Sequence, residues 1–132
     1  MDNNRILCVD DDIGMLNTIE DILISAGYSV SLAKSGRQAL ELLKKGISYQ
    51  LVLLDVDMPE MDGYETFKAI RELDPGKEIP IIFLTGKSDR ESVMKVMQLK
   101  PQGYLLKNMN KTEILKAVGD FFEAEKLKKH KV

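Results

Sequence analysis

Four short apolar runs in this chain each end in a side chain that phosphoryl-transfer chemistry can use. Ile6 to Val9 ends at Asp10 and Asp11, Val52 to Leu54 at Asp55, Ile81 to Leu84 at Thr85, and Tyr104 to Leu106 at Lys107. Brought together, three carboxylates, a hydroxyl and an ammonium could hold a hard cation, offer an oxygen nucleophile and neutralise phosphoryl oxygens. Carboxylates crowded within a few ångströms raise one another's pKa, so Asp10, Asp11 and Asp55 remain ionised together only with a cation among them. The one histidine, His130, is in the tail, and the one cysteine, Cys8, lies inside the first apolar run. Ligation by carboxylate, carbonyl and water oxygens suits Mg²⁺, with Mn²⁺ as the alternative, and does not suit zinc.

These residues meet only if the four runs are parallel strands whose carboxyl ends share one edge, the edge where open α/β sheets bind ligands. The pattern along the chain supports this, because strand-length apolar runs alternate with stretches of helical period through five βα units. The first helix is expected to begin near Asp12, with Met15, Ile19, Ile22 and Ala26 on its inner face and Gly27 as its left-handed terminator. Tyr28 to Leu32 reads as a second strand. Ser35 caps a helix through Ala39, Leu40 and Leu43 that stops at Gly46, and Asp62 caps one around Phe67 and Ile70. Asp74, Pro75 and Gly76 form a turn. Asp89 begins a helix with Val93, Val96 and Met97, and the last helix runs from Thr112 with Leu115, Val118 and Phe122 inward.

Bulk properties set limits on function. A length of 132 residues with 30% charged residues suits one globular domain, spanning 1–132 with a core of about 5–123 and a basic tail over 124–132. Nineteen basic against 21 acidic residues leave a formal net charge of -2, without the basic excess of a nucleic-acid surface. Lys126, Lys128, Lys129, His130 and Lys131 are read as a solvated helix end, where positive charge complements the macrodipole. No apolar stretch approaches the roughly 18 residues of a membrane span, and Met1 to Arg5 does not open as a signal peptide, so a cytoplasmic location is expected. A lone cysteine excludes an internal disulfide, and Cys8 reads as a buried small hydrophobe.

Taken singly, each signal has an ordinary explanation: aspartates after strands cap helices, Thr85 suits a strand end, and lysines are usually solvated. The conjunction at four strand ends resembles the receiver domain of bacterial two-component response regulators, over Ile6 to about Glu123. Val9-Asp10-Asp11 is similar to that family's acidic pair. Leu54-Asp55-Val56-Asp57-Met58-Pro59 with Met61-Asp62-Gly63 is similar to its phosphoacceptor segment, Thr85-Gly86 to its switch hydroxyl, and Gly103-Tyr104-Leu105-Leu106-Lys107 to its last strand. The resemblance implies a flavodoxin-like three-layer sandwich with a five-stranded parallel sheet of order 2-1-3-4-5. It implies Asp55 as phosphoacceptor, with Mg²⁺ held by Asp11, Asp55 and the Asp57 backbone carbonyl, and Asp10 contributing through water. Thr85 and Lys107 would bind the phosphoryl group and Tyr104 would turn inward as the switch, with Asp57 and Lys87 flanking the pocket. The donor would be a histidine kinase or phosphotransfer protein. Output would pass through the fourth helix, fifth strand and fifth helix to a protein effector, with self-association on phosphorylation left open and neither nucleic acid nor membrane contacted directly.

One position departs from the family pattern: Asn108 follows Lys107 where receivers usually carry a proline after a cis bond, a geometry that costs about 2.5 to 4 kcal/mol before any other residue. Two other readings compete. Asp55-Val56-Asp57 with Thr85 and Lys107 also resembles the haloacid-dehalogenase-type phosphohydrolases, although there the nucleophile lies near the chain start and an acidic pair follows a later strand. A pseudo-receiver that only binds partners is favoured by Asn108 alone. The expected role is therefore a signalling domain, catalytic only in its own phosphorylation and dephosphorylation. With little chain after the last helix for an effector, it would be a stand-alone receiver or the receiver portion of a longer regulator.

Overall fold

The computed structural model describes residues 4–129. Five strands and five helices alternate: β1 (Arg5–Val9), α1 (Ile13–Ser25), β2 (Ser29–Ala33), α2 (Gly36–Lys44), β3 (Leu51–Leu54), α3 (Gly63–Glu72), β4 (Ile81–Thr85), α4 (Arg90–Met97), β5 (Gly103–Leu106) and α5 (Lys111–Lys129). The strands form one parallel sheet of order β2-β1-β3-β4-β5. This is the flavodoxin-like arrangement expected from the sequence.

Alternation along each strand sorts side chains to the two faces of the sheet. Leu7, Val9, Val52, Leu54, Ile81 and Phe83 pack with Ala39, Leu43, Phe67, Ile70 and Val96 of α2, α3 and α4. Ile6, Cys8, Leu51, Leu53, Ile82 and Leu84 pack with Leu16, Ile19, Leu23, Ile114, Val118 and Phe122 of α1 and α5. Burial pushes the Cys8 thiol far above its usual range, as befits a cysteine that serves as core packing.

Helix starts follow the cap signals. Asp12, Ser35, Asp62 and Asp89 each accept a backbone N–H of the first turn, and Asp62 and Glu65 complete a reciprocal capping box. Asn110 and Glu113 exchange the same pair of bonds ahead of α5, so that helix starts one residue before Thr112. Arg71 donates to the carbonyls of Gly76 and Ile79 and lies over the Phe67 ring, which ties down the expected turn at Asp74 to Gly76.

Three helical stripes differ from expectation by one position. In α1 the fully buried set is Leu16, Ile19 and Leu23, with Met15 and Ile22 half-buried and Ala26 exposed beyond the last turn. In α5 it is Ile114 that is buried and Leu115 that sits at the margin. In α4 only Val96 is buried, and Met97 is 48% exposed. Where apolar residues stand side by side, the period cannot say which faces the sheet. The basic residues Lys126 and Lys128 fall on exposed final turns of α5, whereas His130, Lys131 and Val132 lie outside the described residues. Among the described residues no helix is long and apolar enough to cross a membrane.

One close approach places β3 relative to α3. A Cβ added to Gly63 would meet the carbonyl oxygen of Asp55 and come within 2.8 Å of the Val56 Cα, while the Gly63 N–H donates to the Val56 carbonyl at 2.8 Å. Backbone atoms cannot move aside as a flexible side chain can. Gly63→Ala should therefore destabilise the protein by roughly 1 to 3 kcal/mol, as overpacking does, read as a lower urea midpoint at unchanged slope.

Candidate functional site

Strand register assembles the site. Val9 pairs with Leu54 and Leu54 with Phe83, so Asp10 and Asp55 emerge side by side from β1 and β3, with Asp55 donating its N–H to the Val9 carbonyl at 3.0 Å. Thr85 pairs with Leu106, and the Lys107 N–H donates to the Thr85 carbonyl at 3.0 Å, which brings the hydroxyl and the ammonium to the same edge. This edge, between β1 and β3, is where the strand order reverses and where such sheets open a crevice.

Asp10, Asp55 and Thr85 are buried and Asp11 is exposed. Carboxylate oxygens of Asp10, Asp11 and Asp55 lie within 4.8 Å of one another. Lys107 Nζ reaches Asp10 at 2.6 Å and Asp55 at 3.3 Å. Asp10 is also held on its other oxygen, which accepts the Asp12 N–H at 2.9 Å. The sequence expectation that these four strand ends meet is thus met in space. All peptide bonds among the described residues are trans, including the one before Asn108, and Lys107 still reaches both carboxylates.

The charges are unequally matched. Burial, then the neighbouring Asp10 carboxylate, push the Asp55 carboxyl up to about 6 against the opposing pull of Lys107 and the Thr85 hydroxyl. Burial alone would lower the Lys107 ammonium, but its hydrogen bond to Asp10 and the charges of Asp55 and Asp10 outweigh that and raise it. One cation serves two buried carboxylates, with the exposed Asp11 carboxylate beside them. An oxygen-only cluster of this kind fits a hard divalent cation such as Mg²⁺.

Around the mouth, Lys87 Nζ stands 3.6 Å from Asp57, both side chains well exposed, so the pair is worth little in stability. The Lys87 backbone is more firmly engaged. Its N–H donates to Thr85 Oγ1 at 3.3 Å and its carbonyl accepts the Tyr104 hydroxyl, so the two peptide units flanking one residue link the β4 hydroxyl to the β5 aromatic. Tyr64, at the start of α3, was not singled out by the sequence. Its ring lies under Lys95 of α4 at 4.1 Å, a contact between residues 31 positions apart that no local pattern announces.

Residues 6–119 match the family model described as the response regulator receiver domain. The chain belongs to the response regulator receiver domain family. As a receiver it is a phosphoaccepting signalling domain of two-component systems, and neither the hydrolase nor the pseudo-receiver reading is favoured. The receiver is 41% identical over 109 residues to the transcriptional regulatory protein ZraR of Escherichia coli K12, covering 83% of this chain but only 24% of that protein. It is similar to the chemotaxis protein CheY4 of Vibrio cholerae at 32% identity and a TM-score of 0.83, covering 90% of this chain and 98% of that one. The receiver domain of a sensor histidine kinase from Pseudomonas aeruginosa, at 30% identity and a TM-score of 0.79, covers 88% of this chain and 94% of that one. That structure has a magnesium ion coordinated in its active site cleft.

A sign follows from the raised Asp55 pKa. The folded receiver holds this proton more tightly than the unfolded chain, so the group's stabilising contribution is full below its ordinary value of 3.8 and is lost as pH rises through about 6. At pH 7 without metal, Asp55→Asn should stabilise the receiver by on the order of 1 to 3 kcal/mol. The gain over wild type should shrink towards pH 4, as read from paired denaturation curves at the two pH values.

Proposed function

We propose that Asp55 is the phosphoacceptor of a Mg²⁺-dependent receiver that takes its phosphoryl group from a histidine kinase or phosphotransfer protein. The observation that carries this reading is the meeting of Asp10, Asp11 and Asp55 within 4.8 Å with Lys107 Nζ 3.3 Å from Asp55. An Asp55 oxygen attacks the phosphorus of a phosphohistidine, the P–N bond breaks, and the electron pair leaves with the donor nitrogen, giving an acyl phosphate. Lys107 shifts towards a phosphoryl oxygen, and the Thr85 hydroxyl donates to another. Both Asp10 oxygens are already engaged, by Lys107 and the Asp12 N–H, which favours Asp11, Asp55 and the Asp57 carbonyl as direct ligands and leaves Asp10 to act through water. When bound, Mg²⁺ supplies the positive charge that lets these carboxylates stay ionised beside an incoming phosphoryl group. The magnesium in the active site cleft of the Pseudomonas neighbour supports a magnesium ion at this cluster.

Signal passes through the Lys87 backbone. As the Thr85 hydroxyl turns to the acyl phosphate it ceases to accept the Lys87 N–H, and the rearranged backbone releases the Tyr104 hydroxyl from the Lys87 carbonyl, so that Tyr104 turns inward. α4, β5 and α5 present that change to a protein effector. Asp57 and Lys87 flank the mouth and influence access of hydrolytic water to the acyl phosphate. The receiver acts in the cytoplasm without direct contact to nucleic acid or membrane. An output domain in the same polypeptide is compatible with the chain's 24% share of ZraR.

Incubation with Mg²⁺ and acetyl phosphate should add one phosphoryl group to the intact mass of the wild type and none to Asp55→Ala or to a metal-free sample. No adduct in the wild type would overturn the reading for small donors. Lys107→Met should remain phosphorylatable but form the adduct roughly 10- to 100-fold more slowly, because a charge positioned for the transition state is lost. An unchanged rate would remove Lys107 from the mechanism.

A further inference from the structure

Among the described helices, α4 is the one with least to hold it. It spans eight residues and buries only Val96, whereas α1, α2 and α3 each bury three or more, and α5 buries Ile114, Val118 and Phe122. Met94 and Met97 face outward at 53% and 48% exposure. A helix with so few buried contacts opens at low free-energy cost, so any further tether has a large share in deciding its position. The tether present is Lys95, whose ammonium stands 4.1 Å from the centroid of the Tyr64 ring. It crosses from the second turn of α4 to the first turn of α3, an element fixed by its capping box and by the Gly63 approach to β3.

The surroundings of Tyr64 tie this contact to the switch. Burial, then the charges of Asp62, Asp57 and Asp89, raise its phenol against the pull of Lys87. Tyr64 and Tyr104 both pack against the core layer that holds Val96, and Tyr104 bonds the Lys87 carbonyl. Lys95 is exposed and Tyr64 half-buried, so the contact is a surface cation–π pair between two helices.

We infer that the Lys95–Tyr64 contact is a latch that positions α4 against α3 and so sets how freely the β4–α4 loop bearing Lys87 rearranges. This rests on the phosphoacceptor reading only for its signalling consequence, since the latch itself exists in the unphosphorylated protein. Lys95 and Tyr64 are positioning residues and touch no reacting atom.

The test is amide hydrogen exchange of the full chain for the wild type, Lys95→Met, Tyr64→Leu and the double variant, with intact-mass phosphorylation measured on the same samples. Methionine keeps an unbranched apolar stem while removing the charge, and leucine keeps apolar contact while removing the ring. Exchange within residues 90–97 should quicken about two- to fivefold in each single variant, as loss of one cation–π contact implies, with no further increase in the double. Exchange in α1 and α5 should be unchanged and the phosphoryl adduct retained. Unaltered α4 exchange in the singles, additive effects in the double, or an increase spread over all helices would overturn the latch. Absence of the adduct in the wild type would overturn the phosphoacceptor reading and leave the latch standing.

Discussion

Everything at the carboxyl edge of the sheet depends on an imbalance: two buried carboxylates share one ammonium, and an exposed third carboxylate stands within 4.8 Å of them. The β1–β3 register makes Asp10 and Asp55 neighbours, and Lys107 reaches both without fully neutralising either. Asp55 is left with a raised pKa and a demand for further positive charge. A hard cation meets that demand, and a phosphoryl group reverses it by adding negative charge and acceptor oxygens. The same crowding that costs stability in the free protein makes the site responsive to both.

The fold supplies this imbalance by satisfying its other acids locally. Asp12, Asp62 and Asp89 stand on the same edge, yet each is used as a helix cap, so their charge is met by backbone N–H groups and by the positive ends of α1, α3 and α4. Gly63 lets α3 approach the backbone of Asp55 and Val56, which fixes the end of β3 from behind. The hydrophobic layers on both faces hold the strands in the one register that aligns Val9, Leu54 and Phe83, two residues before Thr85. The β4–α4 segment is the least anchored, since the backbone of Lys87 joins Thr85 to Tyr104 and α4 buries only Val96.

Much of this was legible in the sequence because it depends on patterns local to the chain. Strand ends, helix caps and the Asp74 to Gly76 turn announce themselves through residue type and spacing, and parallel topology then brings Asp10, Asp11, Asp55, Thr85 and Lys107 together. What the sequence left ambiguous was the facing of adjacent apolar pairs. Ile114 and Leu115 are equally apolar, and only the position of α5 against β1, β3 and β4 decides between them. Invisible altogether were contacts set by tertiary geometry, such as Lys95 over Tyr64. Asn108 gave a true warning about the loop but not its outcome, since the side chain of Lys107 is long enough to reach Asp10 and Asp55 from a trans backbone.

The most direct measurement of the imbalance is a carbon-13 NMR titration of the Asp55 side-chain carboxyl, carried out on metal-free protein and again at saturating Mg²⁺. Burial of the carboxyl, with the Asp10 carboxylate beside it, predicts a metal-free midpoint near 6, and a bound cation predicts a clear downward displacement with Mg²⁺. A midpoint near the ordinary 3.8, unmoved by Mg²⁺, would contradict the account, because Asp55 would then be neither a buried carboxyl beside Asp10 nor part of a cation site.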